Sequence, residues 1–484
     1  MPTTRPPNLV YILADDMGYG DLSCLNPGSR IHTACLDRLA SGGMAFTDAH
    51  ASSAVCTPSR YSLLTGRYNW RSILKKGVTF GYDGPVIEAG RLTVASFLKR
   101  HGYATGCFGK WHLGWDWPKR ADGSVDYSRS IGNGPLSFGF DTFFGISASL
   151  DMPPYVYVRD NIPTAVPDRD IPGTPQGLGF YRAGPIAPDF RHEDVLPRLT
   201  REAVDFIDSR SRNNAPFFLY FPLPAPHTPI LPLPEFQGRS GATAYGDFCL
   251  QVDDTVGRIL AALEKNGAAD NTIVIFAADN GCSPMADFAA LARCGHYPSH
   301  HFRGHKADIY EGGHRIPLLV RWADRIRAGA VTDETVCLGD LLATMADVLG
   351  DKLPDNAGED SVSNLPVWLG QPLSGPLREA TVHTSMDGSL SIRQGRWKLE
   401  LCPGSGGWSY PRPGAECAGL PPTQLYDLGA DIGEHCNRAA ADPEVETRLR
   451  ALLESYVRNG RSTPGAPQTN TGESNWPALW WMKF

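Results

Sequence analysis

The sequence has no CxxC pair, no internal repeat, no heptad register and no low-complexity tract. Their absence excludes the usual paired-cysteine zinc site, a solenoid and a coiled coil. The eleven cysteines are odd in number and thinly spread, so a dense disulfide framework is excluded and most are expected as buried thiols. Cys402, Cys417 and Cys436 share one loop-rich region, but their spacing defines no connectivity, and they are expected to stay unpaired. Met1 is followed by Pro- and Arg-containing coil, and the first apolar run, Leu9 to Leu13, is too short for a signal-peptide core or a membrane span. The chain as written therefore reads as cytoplasmic with no membrane partner, and as periplasmic or secreted if a leader has been removed. Positive charge is in deficit: a formal net charge of -7 argues against a general nucleic-acid or anionic-membrane binder. Any site for an anion must be built locally from a few cations.

What is present is enough chain for a large core and more than one structural unit: 484 residues, 42% of them hydrophobic. Short apolar runs alternate with amphipathic helical segments, the pattern of an α/β sheet with helices on its faces. Four runs, Leu9 to Leu13, Tyr103 to Phe108, Phe217 to Phe221 and Thr272 to Phe276, have strand length and are mostly continuous, as expected for strands buried on both faces. Helices are expected from Thr93 to His101, and over 198–210, 245–266 and 338–349, with Gly102, Gly267 and Gly350 as stop signals. The Pro- and Gly-dense segment from Asn161 to Phe190 is too long for an ordinary connection and is a candidate loop over a site. From Leu390 to Leu401 two alternating strands join at Gln394-Gly395, so a smaller antiparallel unit is expected, dividing the chain into 1–375 and 376–484. The aromatic tail from Trp476 to Phe484 is expected to pack on the body or on a second subunit, which makes a homo-oligomer one expectation.

The candidate chemistry lies where the apolar runs end. Asp15-Asp16 follows the first run and Asp279-Asn280 the last, and in open α/β sheets ligands bind beyond the carboxyl ends of parallel strands. Hard carboxylate and amide oxygens favour Ca2+ or Mg2+ over zinc. Lys110 and His112 leave the second run two residues apart, and His227 leaves the third between prolines that constrain the backbone. Cys56 opens a short helix with Pro58 in its first turn and Gly66 at its end. The positive end of that helix, with Arg60 one turn away, suits an anion or an activated nucleophile. Trp115, Asp116 and Trp117 are candidates for a pocket wall. His296, His300, His301 and His305 precede Lys306 with spacing poorly suited to zinc.

The string CTPSR from Cys56 to Arg60, followed by LTGR from Leu64 to Arg67, closely resembles the signature of the type I sulfatases. The similarity continues in GKWHLG from Gly109 to Gly114, in KADIYEGGHRIP from Lys306 to Pro317, and in Trp397 to Leu399 and Leu425 to Leu428, so it covers nearly the whole chain. The resemblance implies an alkaline-phosphatase-like α/β sandwich, with a large mostly parallel mixed sheet flanked by helices and a smaller C-terminal antiparallel sheet. It implies that a maturation enzyme oxidises Cys56 to formylglycine, whose hydrate is the nucleophile. It further implies a Ca2+ site, with Mg2+ as the alternative, formed by Asp15, Asp16, Asp279, Asn280 and modified Cys56. By the same resemblance Arg60 holds the diol, and Lys110 and Lys306 clamp the sulfate of a small-molecule or glycan ester. His227 protonates the departing alcohol, and His112 helps deprotonate the second hydroxyl so that the sulfated hemiacetal collapses and releases sulfate.

Two rival functions remain. A phosphonate or phosphate ester hydrolase of the same superfamily would use a similar metal and similar cations. A catalytically silent protein would keep the pocket only to bind sulfated glycans.

Overall fold

The computed structural model describes residues 5–213 and 215–483; Phe484 of the aromatic tail and Met1 at the start of the amino-terminal coil lie outside them. Ten strands form the principal sheet: β1 (Asn8–Ala14), β2 (Met44–Phe46), β3 (Ala104–Lys110), β4 (Thr142–Ile146), β5 (Val158–Arg159), β6 (Ile162–Pro163), β7 (Phe217–Pro222), β8 (Thr272–Ala278), β9 (Leu318–Trp322) and β10 (Ala330–Thr332). Their spatial order is β10-β2-β9-β8-β1-β7-β3-β4-β5-β6. The five in the middle, β8, β1, β7, β3 and β4, run parallel, while β9 and β5 turn antiparallel on either side. The four apolar runs are therefore four adjacent strands of one parallel block. Their unbroken apolar sequence follows from burial on both faces: every residue of β1, β7 and β8 is buried. Gly109 permits a close approach inside this block, since a Cβ there would lie 1.9 Å from the Pro222 carbonyl oxygen.

Helices α1 (Ala34–Ser41), α2 (Cys56–Thr65), α3 (Val94–Arg100), α4 (Val195–Arg210), α5 (Thr243–Lys265) and α6 (Leu341–Leu349) pack around the sheet in two groups, α1 and α4 with α5, and α2 and α3 with α6. The apolar face of α5, from Phe248 to Leu263, is buried against its neighbours. Thr93 caps α3 through a reciprocal bond with Ser96, and Gly66 ends α2 in the left-handed conformation. The segment expected as a helix over 338–349 begins with one 3-10 turn, Leu338–Asp340, before α6.

A separate antiparallel sheet contains β11 (Thr381–Thr384), β12 (Leu390–Gln394), β13 (Trp397–Glu400) and β14 (Gln424–Asp427), with α7 (Pro443–Asn459) packed on it. The tail folds back here. Trp476, Leu479, Trp481 and Met482 are buried in one cluster with Tyr68 and Trp70 of the first unit, while Trp480 stays half exposed. All eleven cysteines are free thiols. Among the described residues no helix is long and apolar enough to cross a membrane.

The junction between the two sheets is held by a buried polar network that the sequence did not announce. His50, His314 and His383 meet there: the Nδ1 atoms of His50 and His314 are 3.0 Å apart, and the rings of His314 and His383 stack with centroids 3.8 Å apart. Asp48, Glu311, Arg315, Arg393, Lys398 and Glu434 surround them; Lys398 donates to Glu434 at 2.7 Å and to the Ile309 carbonyl at 2.9 Å. Burial holds all three imidazoles below their usual pKa, against the raising influence of Glu311. The unfolded chain then binds protons that the native state excludes, so stability is full above about pH 6.5 and is lost as pH falls below it, toward the depressed native values. Each histidine contributes a slope of up to about 1.4 kcal/mol per pH unit. Urea unfolding between about pH 7.5 and about pH 5.5 should show this loss, and His383→Phe, which keeps an aromatic ring in the stack, should flatten the slope by roughly one proton. An unchanged slope in that variant would remove His383 from the account.

Candidate active site

The five parallel strands end on one edge of the sheet, and each delivers polar groups there. β1 runs into Asp15 and Asp16, β8 into Asp279 and Asn280, β3 ends at Lys110 and leads to His112, and β7 leads through Pro224 and Pro226 to His227. The loop after β4, Ser147 to Asp151, brings a further serine and a carboxylate. α2 points its amino terminus into the same space, with Cys56 at its first position after Val55. Asp16 and His112 both have positive φ, 64° and 54°. That backbone costs on the order of 1–3 kcal/mol per residue and is held by the surrounding packing.

The convergence produces a floor of buried, mutually neutralising charge. Lys110 donates to Asp15 at 2.7 Å, and Lys306 donates to both carboxylate oxygens of Asp16 at 2.7 Å. Arg60 grips Asp279 Oδ2 through Nε at 3.0 Å and Nη2 at 2.7 Å, and its third nitrogen donates to the Lys110 carbonyl. Burial alone would raise the Asp15 pKa, but Lys110, His227 and Arg60 together outweigh it and hold the carboxyl at about 2. The Cys56 thiol lies 3.6 Å from Asp15 Oδ1. Burial drives its pKa far up despite Lys110 and Lys306, so the thiol stays protonated. Desolvation outweighs the helix end and the nearby cations, so Cys56 as encoded is a buried thiol and a poor nucleophile.

The two histidines differ in what their nitrogens do. His112 Nε2 donates to the Thr79 carbonyl at 2.7 Å, while its Nδ1 is buried without a partner. Burial, reinforced by Lys110 and Arg60, lowers the His112 pKa strongly, leaving a neutral ring with a free lone pair. His227 Nδ1 donates to the Thr228 carbonyl at 2.7 Å, which leaves Nε2 uncommitted by that bond and 3.6 Å from Asp16 Oδ2. Cys56, His112, His227 and Lys306 reach a cavity of about 400 Å3, and the remaining candidates are buried behind them.

Ligand atoms of Asp15, Asp16, Cys56 and His227 all lie within 4.8 Å of one another. Beside them the Asn280 side-chain oxygen is buried and accepts no hydrogen bond, while its nitrogen donates to Asp16 at 2.7 Å. An orphan carboxamide oxygen among carboxylates fits a hard divalent cation. Asp279 stands one step further out, with Oδ2 engaged by Arg60 and Oδ1 accepting the Asp16 backbone N–H at 3.2 Å.

Every candidate from the sequence is therefore in one place, except the flanking groups. Trp115 and Trp117 belong to the core, packed edge to face, and do not line the cavity. Of the irregular histidines, His296 is committed to Asp21 at 2.8 Å. The expected loop does cover the site: Gln176, Phe180 and Arg182 line the cavity, beside a short hairpin of Arg169–Ile171 with Gly184–Ile186. Sequence reading missed Ser149, Asp151 and Trp408. The first two follow β4, whose short run TFFGI carries the same strand signal as the other four; Trp408 comes from the second unit and has no local signal.

A family model described as Sulfatase matches residues 7–351. The chain is 35% identical to an N-acetylgalactosamine-6-O-sulfatase of Bacteroides thetaiotaomicron, covering 93% of each protein, and 34% identical to arylsulfatase A of Homo sapiens, covering 99% of this chain and 93% of that one. A solved structure described under the metabolism of multiple glycosaminoglycans by Bacteroides thetaiotaomicron superposes with a TM-score of 0.82 at 35% identity, covering 93% of this chain and 99% of that chain. A sulfatase from Pseudoalteromonas sp. shares the fold at 22% identity, with a TM-score of 0.70 over 94% of this chain and 90% of that chain. The architecture is the alkaline-phosphatase-like one expected from the sequence.

Arg60 is the central buried cation of this floor. Arg60→Ala should cost about 3–5 kcal/mol by leaving Asp279 unpaired in a dry site. Arg60→Lys should recover only part of that, because an ammonium cannot reproduce the two-pronged contact. Equilibrium unfolding of both variants checks the order.

Proposed function

The chain belongs to the sulfatase family and hydrolyses sulfate esters, and from that premise we propose a formylglycine-dependent reaction at Cys56 assisted by a divalent cation. The observation that carries this reading is the meeting of Asp15, Asp16, Cys56 and His227 at the floor of one cavity. We take residues 1–375 as the catalytic unit and 376–484 as a smaller unit that lends Met386 and Trp408 to the cavity.

The protonated, poorly nucleophilic thiol is the reason to invoke modification. Oxidation of Cys56 by a maturation enzyme supplies an aldehyde whose hydrate carries two hydroxyls on one carbon, one to attack sulfur and one to drive release of sulfate. Asp15, Asp16, Asp279, Asn280 and residue 56 would hold Ca2+, with Mg2+ as the alternative. When bound, that cation supplies charge neutralisation for sulfate oxygens and lowers the proton affinity of a neighbouring hydroxyl. The other steps belong to side chains. Lys306 at the cavity and Lys110 behind it set a positive potential for the sulfate ester anion, and Arg60 braces Asp279 behind residue 56. His227 gives the Nε2 proton to the departing alcohol. His112, neutral with its Nδ1 free, accepts a proton from the second hydroxyl.

Similarity to an N-acetylgalactosamine-6-O-sulfatase makes sulfated sugars the first substrates to try, beside simple aryl sulfates. Chain matured by coexpression with a formylglycine-generating enzyme should show the Cys56 peptide with its thiol replaced by a carbonyl oxygen. The same preparation should turn over an aryl sulfate in preference to the matching aryl phosphonate. A strong preference for phosphonate, or an unmodified thiol in active protein, would overturn the reading. His227→Ala should lose about 10²–10⁴-fold in kcat/KM on alkyl or sugar sulfates, and much less on a nitrophenyl sulfate whose leaving group needs no proton. Kinetics on the two substrate types check this.

A further inference from the structure

One carboxylate at the site has no part in the chemistry just described. Asp151 is only 4% exposed and lines the cavity. Its Oδ2 is held by the Arg182 guanidinium, while Oδ1 is buried with no hydrogen-bond partner among the described residues. That free oxygen lies 4.0 Å from His227 Nδ1, beyond hydrogen-bond range, and the Nδ1 proton is already committed to Thr228. Asp151 therefore does not complete a relay with His227. It stands beside the histidine proposed to meet the leaving alcohol and lines the same cavity, where a ring hydroxyl of the substrate would supply the donor that Oδ1 lacks.

The surroundings narrow what those atoms can be. Arg182 is placed by a bond from its backbone N–H to the Asp151 carbonyl at 3.0 Å, and its guanidinium lies over Phe180 and Phe80 at 5.1 and 5.7 Å. Phe80 and Trp408, both partly exposed at the cavity, offer flat apolar faces. A buried acceptor lacking a donor is stabilised by a ligand hydroxyl, and aromatic faces suit the C–H side of a pyranose ring. A flat aryl leaving group has no hydroxyl to offer Asp151. A second anion next to the sulfated carbon would meet its carboxylate. The cavity, at about 400 Å3, is at the small end of ligand pockets and suits one ring.

We propose that Asp151, oriented by Arg182, is a specificity-determining residue that accepts a hydrogen bond from a ring hydroxyl close in space to the sulfate ester, selecting a single sugar ring that is uncharged apart from that sulfate. This deepens, and rests on, the sulfatase reading. The residue acts on the leaving group alone; the sulfur chemistry is left to the groups behind it.

The test compares matured wild type, Asp151→Asn and Asp151→Ala on three probes: N-acetylgalactosamine 6-sulfate, its 4-deoxy analogue, and nitrophenyl sulfate. Wild type should favour the intact sugar over the deoxy analogue. Asp151→Ala should lower kcat/KM on the intact sugar by about a hundredfold, the value of a hydrogen bond to a charged acceptor, while changing the other two far less. Asp151→Asn, which keeps the shape and one acceptor oxygen, should fall between and guards against misfolding. The pH profile on nitrophenyl sulfate should keep its limbs in both variants. Equal losses on all three probes, or a shifted limb, would mean that Asp151 acts through His227 and would overturn the proposal. Equal turnover of intact and deoxy sugars by wild type would also overturn it. Failure of the wild type on nitrophenyl sulfate as well as on the sugars would instead sink the sulfatase reading.

Discussion

Everything at this site depends on keeping several like charges together in a place almost without water. Asp15, Asp16 and Asp279 are essentially unexposed, and so are Arg60, Lys110 and Lys306. Burial by itself would push the Asp15 carboxyl toward its neutral acid, and Lys110, His227 and Arg60 hold it ionised. The three cations make the arrangement tolerable, and the rigid ends of parallel strands prevent either sign from relaxing away. The same low-dielectric packing strengthens each pairwise attraction and makes the removal of any one member costly.

That constraint bears on the proposed conversion of Cys56. At an exposed helix terminus a thiol beside an arginine would ionise more readily. Here Arg60 is spent on Asp279, and burial dominates the Cys56 environment. A buried thiol suits the proposed conversion before use, whereas the dry pocket favours charge-stabilising contacts to a sulfate ester anion. The neutral state of His112 has the same origin, because desolvation and two nearby cations leave its lone pair free.

The second unit is joined to the first through chemistry as well as packing. His50 lies six residues before Cys56, His314 eight residues after Lys306, and His383 on β11, so their contact ties the segments carrying Cys56 and Lys306 to the smaller sheet. Trp408 and Met386 extend from that sheet unit to the cavity. The wall of the cavity opposite the charged floor is thus lined from the 161–190 loop and from the smaller sheet unit, neither of which contributes to the strand-end charges.

The local sequence determined a great deal here. Continuous apolar runs bounded by glycine and proline identified the four central strands, because strands buried on both faces have no polar alternation to blur them. Asp15, Asp16, Cys56, Arg60, Lys110, His112, His227, Asp279, Asn280 and Lys306 were all legible, since each lies just past such a run or inside a dense motif. Tertiary structure alone decided what depends on distant partners. It assigned Trp115 and Trp117 to the core, brought Asp151 and Trp408 to one cavity, gathered His50, His314 and His383, and set burial against the cations around the Cys56 thiol. Burial and charge pairing are sums over neighbours far apart in the chain, and spacing along the sequence carries no measure of that sum.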